Sequence, residues 1–185
     1  MLGIYLASGK AYHKDFNIVY QDILGDRDIS GDMMNIDLSN FDFIIATPPC
    51  NFWSRARGKT VSSYSLNTYH LLPSIIDKLI VLNKPFIVEN VRNSRRFIEY
   101  NLFDKNCHIY FIGRHTYWTN VDLGNIDLIK QRQDFLNHGY VIKYDDLDNC
   151  YHQGGYNVYQ VIEKFLTVIH SDAFKVNNFE KLKLF

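Results

Sequence analysis

The stretch FDFIIATPPCNFWSRARG, residues 41–58, joins a mostly apolar run to a cysteine that follows two prolines. The run FDFIIAT (41–47) lacks the regular alternation of a strand with one solvated face, so it predicts a strand that is covered on both sides. Cys50 therefore comes just after the end of a buried strand. Similar runs predict further strands at 2–7, 17–23, 84–90, 108–113 and 139–144.

Two further segments have apolar residues at helical spacing. The first, 64–83, contains Pro73 as a start or a kink, and the second spans 157–170. Alternating strands and helices predict an α/β fold with a largely parallel sheet. With 185 residues, 46% of them apolar, the chain suits a single domain over 1–185.

The carboxyl ends of the strands are where ligands bind in open α/β sheets. Cys50 follows one predicted strand, and Glu89 lies at the end of another, 84–90. We therefore expect the two side chains to face the same crevice.

Composition argues against several classes of protein. Three cysteines without CxxC spacing argue against a disulfide framework and against a structural zinc site, so no metal is expected. No run of 18 uncharged apolar residues appears, and the N-terminus does not resemble a signal peptide. We expect a cytoplasmic protein, in the host cytoplasm if the chain is viral, without a membrane partner.

Charge is distributed unevenly although the net charge is zero. Residues 51–100 contain eight Lys or Arg and three acidic residues, a local net charge of +5. This segment predicts contact with a polyanion, although a solvated surface with an incidental bias is the alternative. The candidate nucleic-acid-binding residues are Arg55, Arg57, Lys59, Arg92, Arg95 and Arg96.

Four motifs in order resemble those of the cytosine-5 DNA methyltransferases, and small phage-type members in particular. TPPCNFWS (47–54) resembles the family's proline-proline-cysteine motif, and FIVENVRNS (86–94) resembles its glutamate-asparagine-valine motif, 39 residues on. GRHTYWTN (113–120) resembles a segment of small members. HQGGYNVYQVIEKFL (152–166) resembles the last motif, a turn that leads into a helix, with Gly155, Asn157 and Val158 at matching places. The resemblance covers residues 40 to about 170.

The resemblance implies a covalent mechanism. Cys50 would add to C6 of cytosine and so make C5 nucleophilic, with nearby cations raising the thiolate fraction. Glu89 would hydrogen-bond N3 of the base, and Arg114 would stabilise O2. The base would be flipped out of a DNA duplex. Read without the resemblance, Cys50 is a small buried hydrophobe, Glu89 caps a helix, and Phe52 and Trp53 are packing residues.

The methyl donor implied by the family is S-adenosylmethionine. Ser8 and Gly9 would offer it backbone donors, Asp22 would take the ribose hydroxyls, and Asp32 the adenine. Pro48 and Asn157 complete the cofactor-binding candidates.

The loop after the first predicted strand departs from the family pattern. ASGKAYHKDF (7–16) has one glycine and is too short for the usual helix, so a partner, a second copy of the chain or solvent would have to replace that helix. We expect an open cleft beside residues 8–12, whereas a cleft filled by Tyr12 or Phe16 would favour a non-catalytic protein.

These features lead to one hypothesis and two alternatives. The hypothesis is a minimal cytosine-5 DNA methyltransferase with the Rossmann-like class I fold of S-adenosylmethionine-dependent enzymes. Only 33 residues, 121–153, separate WTN (118–120) from GGYN (154–157), so it would lack a target-recognition domain. One alternative is an inactive or partner-dependent nucleic-acid-binding subunit, including a homodimer. The other is methylation of cytosine in tRNA or in a nucleotide.

Overall fold

The computed structural model describes residues 1–9, 11–54, 61–94, 107–126 and 153–171, and of 153–157 the backbone alone. The predicted strand at 139–144 lies outside these ranges. So do Arg55, Arg57, Lys59, Arg95 and Arg96.

Seven strands form one sheet in the described part of the chain. Their order is β3-β2-β1-β4-β5-β7-β6, with β1 to β5 parallel and β7 antiparallel to both of its neighbours. The predicted mixed α/β fold with a mostly parallel sheet is confirmed. The order of the first five strands is that of the Rossmann fold. The strands are β1 Gly3–Leu6, β2 Ile18–Asp22, β3 Ile29–Ser30, β4 Phe43–Ala46, β5 Phe86–Val91, β6 His108–Ile112 and β7 His115–Thr119.

Strands β6 and β7 form a hairpin whose second strand the sequence pattern does not predict. Ile112 pairs with His115, so the loop is only Gly113 and Arg114. Gly113 has a φ of +59°. A two-residue loop that begins with glycine in this region is typical of tight hairpins. The hairpin inserts β7 next to β5, and this pairing brings the start of β7 to the end of β5.

The predicted first helix is divided in two. Helix α1 spans Ser63–Thr68 and α2 spans Leu71–Leu82, with Pro73 in the first turn of α2. Proline has no N–H and its ring clashes with the carbonyl four residues earlier, so it is accepted in a first turn and not in a helix interior. The prediction that Pro73 starts or kinks a helix is confirmed.

The last helix, α3, spans Gln153–His170. The predicted helix at 157–170 is therefore confirmed and extended by one turn. The predicted turn around Gly155 and Asn157 is wrong, because both residues belong to α3. The side chain of Asn157 lies outside the described part of the structure.

Both faces of the sheet are covered. One face packs against α2, and the other packs against α3. This two-sided burial explains why the strand runs are almost continuously apolar. The α2 cluster includes Ile4, Leu6, Ile44, Ala46, Val88, Leu72, Ile75, Ile76 and Leu79; the α3 cluster includes Tyr5, Phe43, Ile45, Ile87, Val161, Ile162, Phe165, Leu166 and Ile169. Within the described ranges, no helix combines the length and apolar character needed to span a membrane.

We predict that Gly3→Ala destabilises the protein. A Cβ atom at Gly3 would overlap with Cε2 and Cζ of Phe43, whose ring is fully buried beside Phe165 and His170. Overpacking of this kind costs about 1–3 kcal/mol, so urea denaturation should show a lower midpoint at an unchanged m-value. In a double-mutant cycle, Phe43→Leu should reduce the penalty of Gly3→Ala. Strictly additive effects would contradict the overlap.

Candidate active site

Cys50 and Glu89 lie at the same edge of the sheet. Strands β4 and β5 are parallel neighbours, with Ala46 paired with Val88. Cys50 comes four residues after the end of β4 and is exposed, whereas Glu89 lies within β5 and is mostly buried. The negative charge of Glu89 is near enough to raise the pKa of the Cys50 thiol. The two side chains therefore share one electrostatic environment.

Asn90 connects β5 to the loop that carries Cys50. Its side-chain Nδ2 donates to the carbonyl of Pro48 at 2.9 Å, and its Oδ1 accepts from the Val91 N–H at 2.9 Å. The amide is buried, where a hydrogen bond lost on one side leaves its partner unsatisfied. Asn90 thus fixes the backbone two residues before Cys50. The sequence analysis did not assign it this role, although it stands between Glu89 and Val91 in the second motif.

The carbonyl of Cys50 closes a tight turn. It accepts hydrogen bonds from the N–H groups of Trp53 at 3.0 Å and Ser54 at 2.9 Å. Trp53 is buried in the α2 cluster, and its ring meets Phe52 edge-on at 4.8 Å. The interpretation of Phe52 and Trp53 as packing residues is confirmed. They hold the Cys50 turn against the core.

The pKa of Cys50 is raised, not lowered. Although Cys50 lies at the surface, the larger cause is the loss of water around the thiol where protein atoms crowd it, and the charge of Glu89 adds to it. These causes act against the expected increase in the thiolate fraction by nearby cations, and that expectation stays a prediction. The cations proposed for that role, Arg55, Arg57 and Lys59, lie outside the described residues.

His115 is a functional candidate that sequence reasoning missed. Its Nδ1 lies 2.5 Å from Oε1 of Glu89, and both side chains are mostly buried. In the antiparallel β5–β7 pair, Val91 faces His115 and Glu89 faces Tyr117, which puts Glu89 and His115 diagonally on one face. The signal was present in the third motif, where His115 follows Arg114 directly. Its contact with Glu89 requires the hairpin, which the sequence pattern did not show.

The two arginines of this edge are exposed. Arg114 occupies the hairpin loop, and its carbonyl accepts from the Arg92 N–H at 2.7 Å. The guanidinium of Arg92 lies 5.9 Å from the ring centre of Phe111. Both arginines therefore lie at the rim beside Glu89 and His115, where a polyanion can reach them.

Two lysines of the positively charged segment serve the fold. Lys78 Nζ donates to the carbonyls of Met34 at 2.9 Å and Ile36 at 3.1 Å. Lys84 Nζ donates to three carbonyls, those of Leu38, Ser39 and Phe41, at 3.3, 2.5 and 2.6 Å. The local charge of +5 thus overstates the charge that this segment presents to a ligand.

The loop between β1 and β2 uses its own backbone donors. The N–H of Ser8 donates to the carbonyl of Gln21 at 3.0 Å, and the N–H of Gly9 donates to Oδ2 of Asp22 at 2.9 Å. The N–H of Ala7 donates to Oε1 of Gln21 at 3.0 Å. The expectation that Ser8 and Gly9 offer backbone donors to a cofactor is therefore wrong for this conformation.

Both candidate carboxylates of the cofactor site accept backbone hydrogen bonds. Asp22 also accepts from the Leu24 N–H at 3.2 Å, and Arg27 donates to the carbonyl of Gly9. Asp32 caps the short 3₁₀ turn Met33–Asn35 through the Met34 N–H at 2.9 Å. A carboxylate has about four lone-pair sites, so each retains acceptor capacity.

The same loop covers the sheet face where a helix is missing. His13 is buried, stacks on Tyr159 of α3 at 4.4 Å, and its Nδ1 lies 2.7 Å from Oε1 of Glu163. Tyr12 and Phe16 pack with the α3 cluster, whereas Met33, next to Asp32, packs with the α2 cluster. The loop and α3 therefore cover this face, and the expectation that a partner, a second copy or solvent replaces the missing helix at the cofactor site stays a prediction.

The comparisons add no family. No model of a known protein family matches the chain, and no curated protein matches it. In the described part of the structure, no group of three or more His, Cys, Asp or Glu side chains is arranged to hold a metal ion.

We predict that Cys50 is alkylated with a pH midpoint above that of a cysteine peptide in the same buffer. Glu89→Gln should lower this midpoint towards the peptide value without reaching it, because burial is the larger cause of the raised pKa. The measurement is the iodoacetamide rate against pH, read for each cysteine by peptide mass spectrometry. Cys107 is the internal control: burial raises its pKa to about 11 without a contribution from Glu89. A Cys50 midpoint at or below the peptide value would show that cations outweigh both causes.

Proposed function

We propose that this protein is a minimal cytosine-5 DNA methyltransferase with a Rossmann-like class I fold, using S-adenosylmethionine as methyl donor. The observation that carries the proposal is the closeness of Cys50 and Glu89 at the carboxyl edge of β4 and β5. Asn90 supports it, since it joins the backbone before Cys50 to the strand that carries Glu89. A thiol and a carboxyl group at one edge of the sheet are the two groups that activation of cytosine at C5 needs.

The thiolate of Cys50 would add to C6 of the cytosine, breaking the C5–C6 double bond and placing negative charge on N3 and O2. The Glu89 carboxyl would donate a hydrogen bond to N3 and so spread that charge. S-adenosylmethionine would supply the methyl group that C5 attacks. The C5 proton would pass to a water molecule, and expulsion of the Cys50 thiolate would restore the C5–C6 double bond and the aromatic ring, with S-adenosylhomocysteine as the other product. Arg114, at the rim, would stabilise O2.

Polar side chains in and near the β1–β2 loop are the groups that could hold a cofactor. Ser8 Oγ is buried and has no hydrogen-bonding partner among the described residues. A buried hydroxyl without a partner is costly, so its position points to a polar group that none of the described residues provides. Ser8, Asp22 and Asp32 are thus the side chains that would hold the donor, with Pro48 and Asn157 proposed from the motifs alone.

DNA would contact the rim through Arg92 and Arg114 and through Arg55, Arg57, Lys59, Arg95 and Arg96. Each phosphate that these cations neutralise releases a counterion, so affinity should fall as salt rises. The flipped cytosine would enter beside Cys50.

A partner-dependent or inactive nucleic-acid-binding subunit is the second candidate function. The observation that favours it is the set of loop N–H groups, Ala7, Ser8 and Gly9, all of which are hydrogen-bonded within the protein. For the methyl donor to use them, the Gly9 turn would have to leave Asp22.

We predict that Cys50 forms a covalent adduct with DNA that contains 5-fluorocytosine, in the presence of S-adenosylmethionine. Fluorine at C5 leaves no proton to remove, so the adduct cannot break down and should survive denaturing gel electrophoresis. Cys50→Ser should abolish the band, and the matched control Cys107→Ser, which changes a half-buried thiol, should retain it. Glu89→Gln should bind DNA and lose most of the adduct. An equal yield of the DNA adduct from Cys50→Ser would contradict the assignment of Cys50 as the nucleophile.

We predict that the Gly9 turn weakens binding of S-adenosylmethionine and that Arg27→Ala strengthens it. Loss of the hydrogen bonds from Arg27 to the Gly9 carbonyl frees the turn. An affinity gain of about fivefold corresponds to one hydrogen bond of about 1 kcal/mol. Isothermal titration measures it, with Lys14→Ala as the control for an exposed cation on the same loop. If titration with S-adenosylmethionine gives no heat of binding for either the wild type or Arg27→Ala, the second candidate function is favoured.

A further inference from the structure

We infer that His115 is a positioning residue for Glu89: its Nδ1–H donates to Oε1 and thereby leaves Oε2 as the oxygen that carries the carboxyl proton. This inference rests on the proposed function, because it concerns the hydrogen bond from Glu89 to N3 of the base. The distance of 2.5 Å between Nδ1 and Oε1 puts the two groups in direct hydrogen-bond contact.

The sheet fixes this contact on both sides. Glu89 and His115 belong to strands paired over five positions, from Ile87 with Thr119 to Val91 with His115. The backbone of β7 beyond His115 is buried, and so are Thr116 and Trp118. A side chain on such a strand is held more precisely than one on a loop.

No other described side chain holds the Glu89 carboxyl. Tyr117 faces Glu89 across the strand pair and feels its charge, which raises the pKa of Tyr117 further after burial has done so. The hydroxyl of Tyr117, however, has no hydrogen-bonding partner among the described residues. The Cys50 thiol is the third titratable group that faces Glu89. Among the described side chains His115 alone is hydrogen-bonded to the carboxyl, so it is the described residue that sets the carboxyl orientation.

The direction of this hydrogen bond has a chemical consequence. When Nδ1 donates, Oε1 acts as the acceptor, so a proton on the carboxyl group sits on Oε2. From Oε2 it can be donated to N3 of the base. Without His115 the proton can occupy either oxygen and the carboxyl can rotate, so a smaller fraction of the protein has a donor aimed at the base. His115 itself forms no bond to substrate.

The test uses the exchange of hydrogen at C5, which requires Cys50 and Glu89 and no methyl donor. The thiolate adds to C6, C5 takes a proton from water, loses its original hydrogen, and the thiolate leaves. The probe is a DNA oligonucleotide with tritium at C5 of cytosine, incubated with the full chain, and the readout is tritium released into water.

We predict that His115→Leu lowers the exchange rate at least about tenfold without weakening DNA binding, as misorientation of a catalytic group does. His115→Asn should retain a rate within a fewfold of the wild type, because its amide N–H can replace Nδ1–H. His108→Leu, on β6 of the same hairpin, is the matched control and should exchange like the wild type. A wild-type rate in His115→Leu would overturn the role of His115 and leave the proposed function intact.

A second measurement tests the hydrogen bond itself. In ¹⁵N spectra of histidine-labelled protein at alkaline pH, the His115 signal, identified by its loss in His115→Asn, should show the proton on Nδ1. Glu89→Ala should move it towards Nε2, and Glu163→Ala should not, although Glu163 contacts His13 in the same way. A wild-type Nε2–H form would overturn the inference. If the wild type and Cys50→Ser both release no tritium, the proposed function fails and the role of His115 falls with it.

Discussion

The connection between β1 and β2 is the constraint on which much of the molecule depends. Eleven residues, 7–17, must carry the chain from the end of one strand back to the start of a parallel neighbour. Crossovers of this kind usually contain a helix, which covers the sheet and supplies free N–H groups at its N-terminus. Here the distance is covered by turns, so the loop has to satisfy its own backbone and bury the sheet with its own side chains.

The consequences appear residue by residue along the loop. Ala7 has a φ of +51°, a left-handed conformation that costs a residue with a Cβ about 1–2 kcal/mol. Gln21 and Thr47 hold it there through hydrogen bonds of 3.0 and 2.8 Å. Further on, His13 reaches α3 and stacks on Tyr159. These contacts stabilise the loop, so a ligand that bound to the loop backbone would compete with the protein's own hydrogen bonds.

Sequence predicted the parts of this structure that depend on burial and strand direction. Runs such as 41–47 and 84–90 are apolar because helices cover both faces of the sheet. Parallel neighbouring strands end at the same edge of a sheet, so Cys50 and Glu89 lie at one edge whatever the loops between them do. The missed features depend on pairing across long sequence separations. His115 reaches Glu89 only because β7 inserts beside β5, and Lys84 binds three carbonyls only because the segment 38–41 lies next to it. Neither a hairpin insertion nor a lysine–carbonyl contact leaves a periodic pattern in a sequence.

The raised pKa of Cys50 and the position of Glu89 bear on how the proposed nucleophile is activated. The pair that the proposed mechanism uses, a thiolate beside a carboxylic acid, contains the same number of protons as a thiol beside a carboxylate. Because the charge of Glu89 helps to raise the pKa of Cys50, a proton on Glu89 removes that contribution and favours the thiolate. A cytosine whose N3 accepts a hydrogen bond from Glu89 would stabilise the protonated carboxyl group. It would therefore shift Cys50 and Glu89 towards the reactive form, a thiolate beside a carboxylic acid. Activation of Cys50 would then be coupled to correct placement of cytosine, and the thiol would stay protonated and unreactive in its absence.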